Sequence, residues 1–233
     1  MRAMGFWIAA GLAGGGSVAS GARAADAAHP TVVELFQSQG CSSCPPANAN
    51  LSSVAGRPDI LALSFAVTYW DQLGWKDTFA TPAYTARQWD YAHHLRRSNV
   101  FTPQVVINGR LDGVGADPGD FRRLIAAGDR GGGGPTVARR GDALMIAAGA
   151  TRAPADIWLV RYDPRVIAVP IRAGENGGRT LPHRDIVRQL VHLGRWTGAA
   201  ATLPLPPAAD PALRTAVLVQ AGAGGPILAA ARI

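Results

Sequence analysis

Cysteine is nearly absent from this chain: there are two in 233 residues, Cys41 and Cys44. So few exclude a zinc knuckle, which needs a second pair of ligands. A haem-attachment motif would need histidine after Cys44, and Pro45 stands there. Lysine is rarer still, with Lys76 alone among basic residues that are otherwise arginine. The formal charge is +7, and removing Arg2 and Arg23 of the N-terminal leader leaves +5. These charges are scattered, with no basic stripe and no interleaved aromatics, so a nucleic-acid surface is not indicated. They read as a solvated face, and the abundance of Arg, Ala and Gly reads as a high-GC genome. Beyond the first residues no apolar run approaches the roughly 20 residues that cross a bilayer as a helix.

The N-terminus carries an export signal. Arg2 precedes the apolar run from Met4 to Ala13, and Ala22-Arg23-Ala24 forms an A-x-A cleavage site. Cleavage is expected after Ala24 or two residues earlier, giving a signal peptide over 1–24. The run is too short and glycine-rich to serve as a membrane anchor. The expected location is periplasmic or secreted, in a bacterium. That compartment is oxidising, so a Cys41–Cys44 disulfide would persist.

The chain is organised around Gly40-Cys41-Ser42-Ser43-Cys44-Pro45-Pro46. A strand-like run, Thr31 to Phe36, leads in, and a helix-compatible run, Ala47 to Val54, leads out. A helix N-terminus offers unpaired N–H groups and partial positive charge, which favour a thiolate, the nucleophilic form. This is a redox arrangement. The bland alternative is a structural disulfide, but so short a ring removes little entropy from the unfolded chain. Proline tolerates the first helical turn and discourages helix before it, so the helix should start at Cys44 or Pro45. Cys41 is then expected in the loop, exposed, with its thiol pKa below the free value of about 8.5, and Cys44 more buried.

Onward, Ile60 to Val67 reads as a buried strand, Pro82 to Arg97 as a helix, and Gln104 to Ile107 as a strand. Asn108-Gly109 is a two-residue hairpin signal, with Leu111 to Val114 returning. Asp117 opens a last helix through Phe121, Leu124 and Ile125. Tyr69, Trp70, Trp75, Tyr84, Trp89 and Tyr91 concentrate between Thr68 and Arg97, which reads chiefly as packing. Arg130-Gly131-Gly132-Gly133-Gly134-Pro135 then reads as a linker, 130–135. Beyond it, short strands at regular spacing suggest an all-β sandwich over 136–233. The stretch Asp185 to Leu193 reads as either a long strand or a short helix. Glu175, His183 and Asp185 lie near one another, but without a nucleophile motif this reads as chance.

Residues 31–129 resemble the thioredoxin superfamily. Cys41-Ser42-Ser43-Cys44 between first strand and first helix, Thr102-Pro103 opening the third strand, and the Asn108-Gly109 hairpin before a terminal helix carry the resemblance. The phrases Val33 to Pro46 and Leu73 to Asp77 are similar to a family of secreted bacterial thioredoxin-like proteins of unknown function. The resemblance implies an α/β thioredoxin-like domain, built β-α-β-α-β-β-α, ahead of the small all-β sandwich-like domain. It implies a cis Thr102–Pro103 bond facing the disulfide, and a thiol–disulfide oxidoreductase. Cys41 would attack, Cys44 would resolve the mixed disulfide, Pro103 would shape the groove, and the Thr102 backbone would pair with substrate. No organic cofactor is expected. Partners would be protein thiols or disulfides, or a periplasmic redox partner. The buried acid of classical thioredoxins lies six residues before the first cysteine. Leu35 stands at that offset, and Glu34 takes the role only if the loop is one residue longer. The alternatives are copper held by Cys41, Cys44 and one of His93 or His94, or a binding module with a structural disulfide.

Overall fold

The computed structural model describes Met1 and residues 24–233. The signal peptide expected over 1–24 therefore lies, apart from its two ends, outside the described residues. The first strand, β1 (Thr31–Gln37), is buried along its length, as a strand covered on both faces must be. The helix α1 (Cys44–Val54) starts at the second cysteine with both prolines in its first turn, where the missing N–H groups leave no bond unmade. Next, β2 (Ile60–Ala66) pairs parallel to β1. A single 3-10 turn at Asp71–Leu73 precedes α2 (Pro82–His94). The strands β3 (Gln104–Ile107) and β4 (Leu111–Gly113) form the hairpin around Asn108 and Gly109, at φ 48° and 63°. Asp117 caps α3 (Pro118–Ala127) by accepting the Asp120 N–H at 2.8 Å.

Nine strands follow: β5 (Val137–Arg140), β6 (Ala143–Ile146), β7 (Ala155–Asp163), β8 (Ile167–Pro170), β9 (Thr180–His183), β10 (Ile186–Trp196), β11 (Ala201–Pro204), β12 (Arg214–Gln220) and β13 (Ile227–Arg232). The ambiguous stretch after Asp185 is strand. The unforeseen element is β9, four residues with a proline inside.

The two-domain expectation is corrected by the sheet. One eight-stranded mixed sheet runs in the order β13-β12-β7-β10-β2-β1-β3-β4 and takes strands from both sides of residues 130–135. The physical reason is the free edge of β2. Its apolar strand leaves backbone groups unpaired, and β10 satisfies them, with Ile186 beside Ser64 and the Ser64 N–H donating to the Asp185 carbonyl at 2.8 Å. The C-terminal half therefore does not close as a sandwich of its own. Its sheet β11-β6-β5 forms a second layer over the joint sheet, through Leu144, Ile146, Ile157, Leu159, Trp196, Val217 and Val219. The glycine segment is also held down: the Arg130 guanidinium donates to the Gly133 carbonyl at 2.8 Å and to the Leu228 carbonyl at 3.4 Å.

Side-chain alternation on β1 sorts the first half into two cores. Val33 and Leu35 face α1 and α3, against Ala47, Leu51 and Phe121. Val32 and Phe36 face α2 and the C-terminal strands, against Tyr84, Tyr91, Val160 and Leu218. Phe36 stacks on Phe65 at 5.3 Å and meets Tyr91 edge-on at 5.9 Å. Glu34 shares the α2 face. Its exposure is 0%, and Arg87 pairs with it at 2.7 and 3.2 Å. Tyr91 also donates to this carboxylate. Arg87 reaches Gln220 of β12 at 3.1 Å.

Removing one partner of a buried ion pair leaves the other uncompensated, which costs about 3–5 kcal/mol. Arg87→Met and Glu34→Gln are each expected to lower unfolding free energy by about that much. The two changes together should cost less than their sum. Urea denaturation of the four proteins checks this; additive losses would remove the pair as a unit.

Candidate functional site

The turn between β1 and α1 carries both cysteines, and their sulfurs lie at disulfide distance with Cα atoms 5.4 Å apart. Ser43 is the helix N-cap but makes no capping bond with its side chain. Its hydroxyl instead lies 3.3 Å from the Cys41 sulfur. The segment before β3 supplies the other neighbours. The Thr102 carbonyl is 3.9 Å from the Cys41 sulfur, and the Thr102 hydroxyl is 3.3 Å from the Cys44 sulfur. That hydroxyl also donates to the Phe36 carbonyl at 3.2 Å. Gln88 of α2 fixes the segment from behind, donating to the Phe101 carbonyl and to Gln104 at 2.8 Å each. The Thr102–Pro103 peptide is cis. Cys41, Cys44, Thr102 and Pro103 thus meet in one place, although 58 residues separate Cys44 from Thr102 in the chain.

The cysteines are not arranged as expected in one respect. Cys41 is as buried as Cys44, both at 0% exposure. Two segments bond to their turn. The aromatic insertion contributes Trp75, whose indole donates to the Gln39 side chain at 2.9 Å. It also contributes Asp77, which accepts the Gln39 N–H at 2.7 Å. Trp70 lies against Gly40, so a Cβ added there would sit 3.2 Å from its ring. The aromatics of this region therefore divide: Tyr84 and Tyr91 are core, while Trp70 and Trp75 lie at the cysteine turn.

The second segment is the loop from Ile171 to Arg179, between β8 and β9. Asn176, with 0% exposure, donates to the Gln39 carbonyl at 2.9 Å and the Cys41 carbonyl at 2.8 Å. Glu175 accepts from Ser42 twice, at 2.9 Å from its N–H and 2.8 Å from its hydroxyl. These bonds hold the Glu175 carboxyl below its usual pKa, the Ser42 N–H first. The proximity of Glu175 to His183 and Asp185 in sequence reads as chance, and no bond joins Glu175 to either. Its contact with the cysteine turn, 133 residues away, is beyond sequence pattern.

Two other expectations change. Glu34 is buried, but on the sheet face away from α1, with Arg87 and Tyr91 as partners rather than a cysteine. The strand's period of two decides this: Leu35 takes the α1 face. His93 and His94 are exposed in the last turn of α2, with His93 tilted on Trp89 at 5.6 Å. Among the described residues no group of three His, Cys, Asp or Glu side chains is placed to hold a metal.

Asp77 is the buried acid at the turn. Burial, with a smaller push from Asp71, raises its carboxyl from 3.8 to about 6, against the pull of the Gln39 N–H. A raised acid makes the folded chain bind more protons than the unfolded one. Its cost is absent below about pH 4 and complete above about pH 6. Asp77→Asn removes the charge and keeps an acceptor for Gln39. The unfolding free energy of the wild type relative to this variant should therefore fall by about 2 kcal/mol as pH rises from 4 to 6. His183, pushed down to about 4 by burial, acts in the opposite direction but in both proteins, so the difference isolates Asp77. A flat difference curve would contradict the assignment.

Comparison with known proteins gives a family and a fold neighbourhood. Residues 32–220 match the family described as Protein of unknown function (DUF1223). A crystal structure of a protein from Agrobacterium tumefaciens is 33% identical, with a TM-score of 0.69, covering 87% of this chain and 93% of its own. HBP35 of Porphyromonas gingivalis shares the fold at 13% identity and a TM-score of 0.61, covering 88% of this chain and 74% of its own. No curated protein matches. The match to the family model spans most of the sequence, and a structure one-third identical covers nearly all of it, so this chain belongs to the DUF1223 family.

Proposed function

We propose that this chain is an exported, thioredoxin-like thiol–disulfide oxidoreductase that uses Cys41 and Cys44. One observation carries the reading: Thr102 touches both sulfurs, through its carbonyl at Cys41 and its hydroxyl at Cys44, with Pro103 next to it. A disulfide that serves only to staple a turn needs no such neighbour from 61 residues away. The thioredoxin-like order of β1 to α3 and the two prolines at the start of α1 support the same reading.

The exchange is balanced within the pair. A substrate thiolate attacks the Cys41 sulfur, the Cys41–Cys44 bond breaks, and Cys44 leaves as a thiolate that takes up a proton. A second substrate thiol, deprotonated, attacks its own sulfur in the mixed disulfide and releases Cys41 as a thiolate. Two electrons pass from two substrate thiols to the pair, and the reverse sequence oxidises it. The partner is a protein dithiol or disulfide of the oxidising compartment to which the leader directs the chain. The Thr102 hydroxyl, 3.3 Å from the Cys44 sulfur, is in position to turn its one proton from the Phe36 carbonyl to a Cys44 thiolate as it leaves.

The burial of both sulfurs favours one other reading, a structural disulfide in a binding module. The readings differ in kinetics. In the reduced protein near pH 6, an alkylating reagent is expected to label Cys41 at least tenfold faster than Cys44. Cys44→Ser is expected to accumulate a mixed disulfide on Cys41 with a model disulfide, whose second sulfur leaves as a thiolate, and Cys41→Ser to abolish exchange. Equal slow labelling with no trapped species favours the structural reading.

A further inference from the structure

We infer that the loop from Ile171 to Arg179 is a redox-sensitive cover for the cysteine pair, with Glu175 as the residue that couples its docking to the state of Cys41. The inference rests on the oxidoreductase reading above and adds what sets the poise of that pair. It starts from where the loop is bonded. Asn176 holds two backbone carbonyls of the turn, at Gln39 and Cys41. Those are neutral bonds that do not sense the sulfur. Glu175 holds the N–H and hydroxyl of Ser42, the residue after Cys41. That bond places a carboxylate beside the attacking cysteine, where a thiolate would need the same positive ends of N–H dipoles.

Against a disulfide the arrangement is favourable, because neither sulfur is charged and the Ser42 donors are free for Glu175. Reduction changes the balance. A thiolate at Cys41 becomes a second anion on the same turn, and like charges at close range disfavour each other. The loop is then less firmly docked. By linkage the docked loop favours the disulfide by the same factor. Glu175 thus makes the pair harder to reduce, and reduction uncovers the turn.

The other charged groups bonded at this turn do not duplicate the effect. Asp77 is tied to the Gln39 N–H, with Asp71 behind it accepting the Asp77 N–H at 3.0 Å. Of the loop's two cations, Arg172 is exposed and Arg179 donates to the Asn176 side-chain carbonyl at 2.6 Å. Glu175 alone among them bonds to a residue between the two cysteines. The loop's own frame is compact: the Gly178 N–H donates to the Ile171 carbonyl at 2.8 Å, and the Ile171 N–H to the Arg179 carbonyl at 2.8 Å. It also abuts the other cover. A Cβ added at Gly174, whose φ is +73°, would lie 3.2 Å from the Trp75 Cβ. Opening the loop therefore frees one wall of the aromatic insertion as well.

The test compares wild type with Glu175→Gln, which keeps an acceptor and removes the charge from an exposed side chain. Equilibration in buffers of reduced and oxidised glutathione should show the variant's pair reduced about three- to tenfold more readily, a size typical of one close charge. The pH midpoint for Cys41 alkylation should fall in parallel. Both differences should shrink in 1 M salt, where charges on the surface are screened within about 3 Å, a response that a purely structural role would not give. In the wild type, amides 172–178 should exchange hydrogen faster in the reduced protein than in the oxidised one, and Glu175→Gln should narrow that gap. Unchanged glutathione equilibrium and equal exchange in both states would overturn the cover while leaving the oxidoreductase reading in place. A pair that no glutathione ratio reduces, in either protein, would overturn both.

Discussion

The carboxylate of Glu34 is buried on a central strand, and a charge at zero exposure must be matched or the fold loses several kcal/mol. Everything that matches it comes from elsewhere in the chain. Arg87 and Tyr91 bring α2 across the sheet. Burial alone would weaken the guanidinium as a base, but Glu34 and Tyr91 outweigh it and hold its pKa above the ordinary value. Arg87 then reaches Gln220 of β12, which in turn donates to the Tyr91 hydroxyl at 3.2 Å and to the Gly225 carbonyl at 2.8 Å. Its guanidinium also lies 5.8 Å from the Phe65 ring and 5.6 Å from the Trp158 ring, one from each half. A polar network satisfied from both halves of the chain cannot be completed by either half alone. This makes the glycine segment a change of secondary structure and not a boundary between independent units.

The junction of β10 with β2 has the same consequence on the other side of the molecule. Once Asp185 and Ile186 are fixed against Ser64, the hairpin of β8 and β9 that precedes them is carried toward α1. The Ile171–Arg179 loop between those two strands then meets the cysteine turn. The chain has two glutamates, Glu34 and Glu175. One lies on the sheet face away from the cysteines and ties the halves together. The other extends from the second half to the residue after Cys41. The expected role of an acid near the cysteines is thus divided differently from the thioredoxin pattern, with Asp77 as the buried one.

Much of this was legible in the sequence because the signals were local. The strand before Cys41, the helix start at Cys44, the Asn108-Gly109 turn and the α3 cap at Asp117 each depend on a few adjacent residues. Thr102-Pro103 was found through resemblance, and it does lie against both sulfurs. What sequence could not supply was pairing across distance. The short apolar strands after Gly134 look alike whether they close a sandwich or extend an existing sheet, because alternation fixes a face and not a neighbour. The burial of Cys41 was missed for the same reason. The turn itself is polar and reads as exposed, and its covers come from residues 70–77 and 175–176. A signal for the second cover existed, since Glu175-Asn176-Gly177-Gly178 is a turn sequence, but nothing local says what a turn will touch.

A covered cysteine pair constrains what its partner is able to be. On the proposed oxidoreductase reading, a protein disulfide would have to bring its sulfur in line with Cys41, and backbone pairing at Thr102 would require an extended segment beside it. Neither is compatible with a turn whose sulfurs have no exposure. Of the two covers, the insertion is anchored by core residues of α2 and by an acid whose charge is disfavoured by burial. The 171–179 loop is anchored near the cysteines by one buried amide and one exposed carboxylate, and the carboxylate exchanges for water at little net cost. The loop has the weaker anchor, so under the proposed oxidoreductase reading access to Cys41 would run through the loop and not through the aromatic wall. The wall, with Trp70 and Trp75 remaining at the turn, is then the apolar surface that an entering segment meets first.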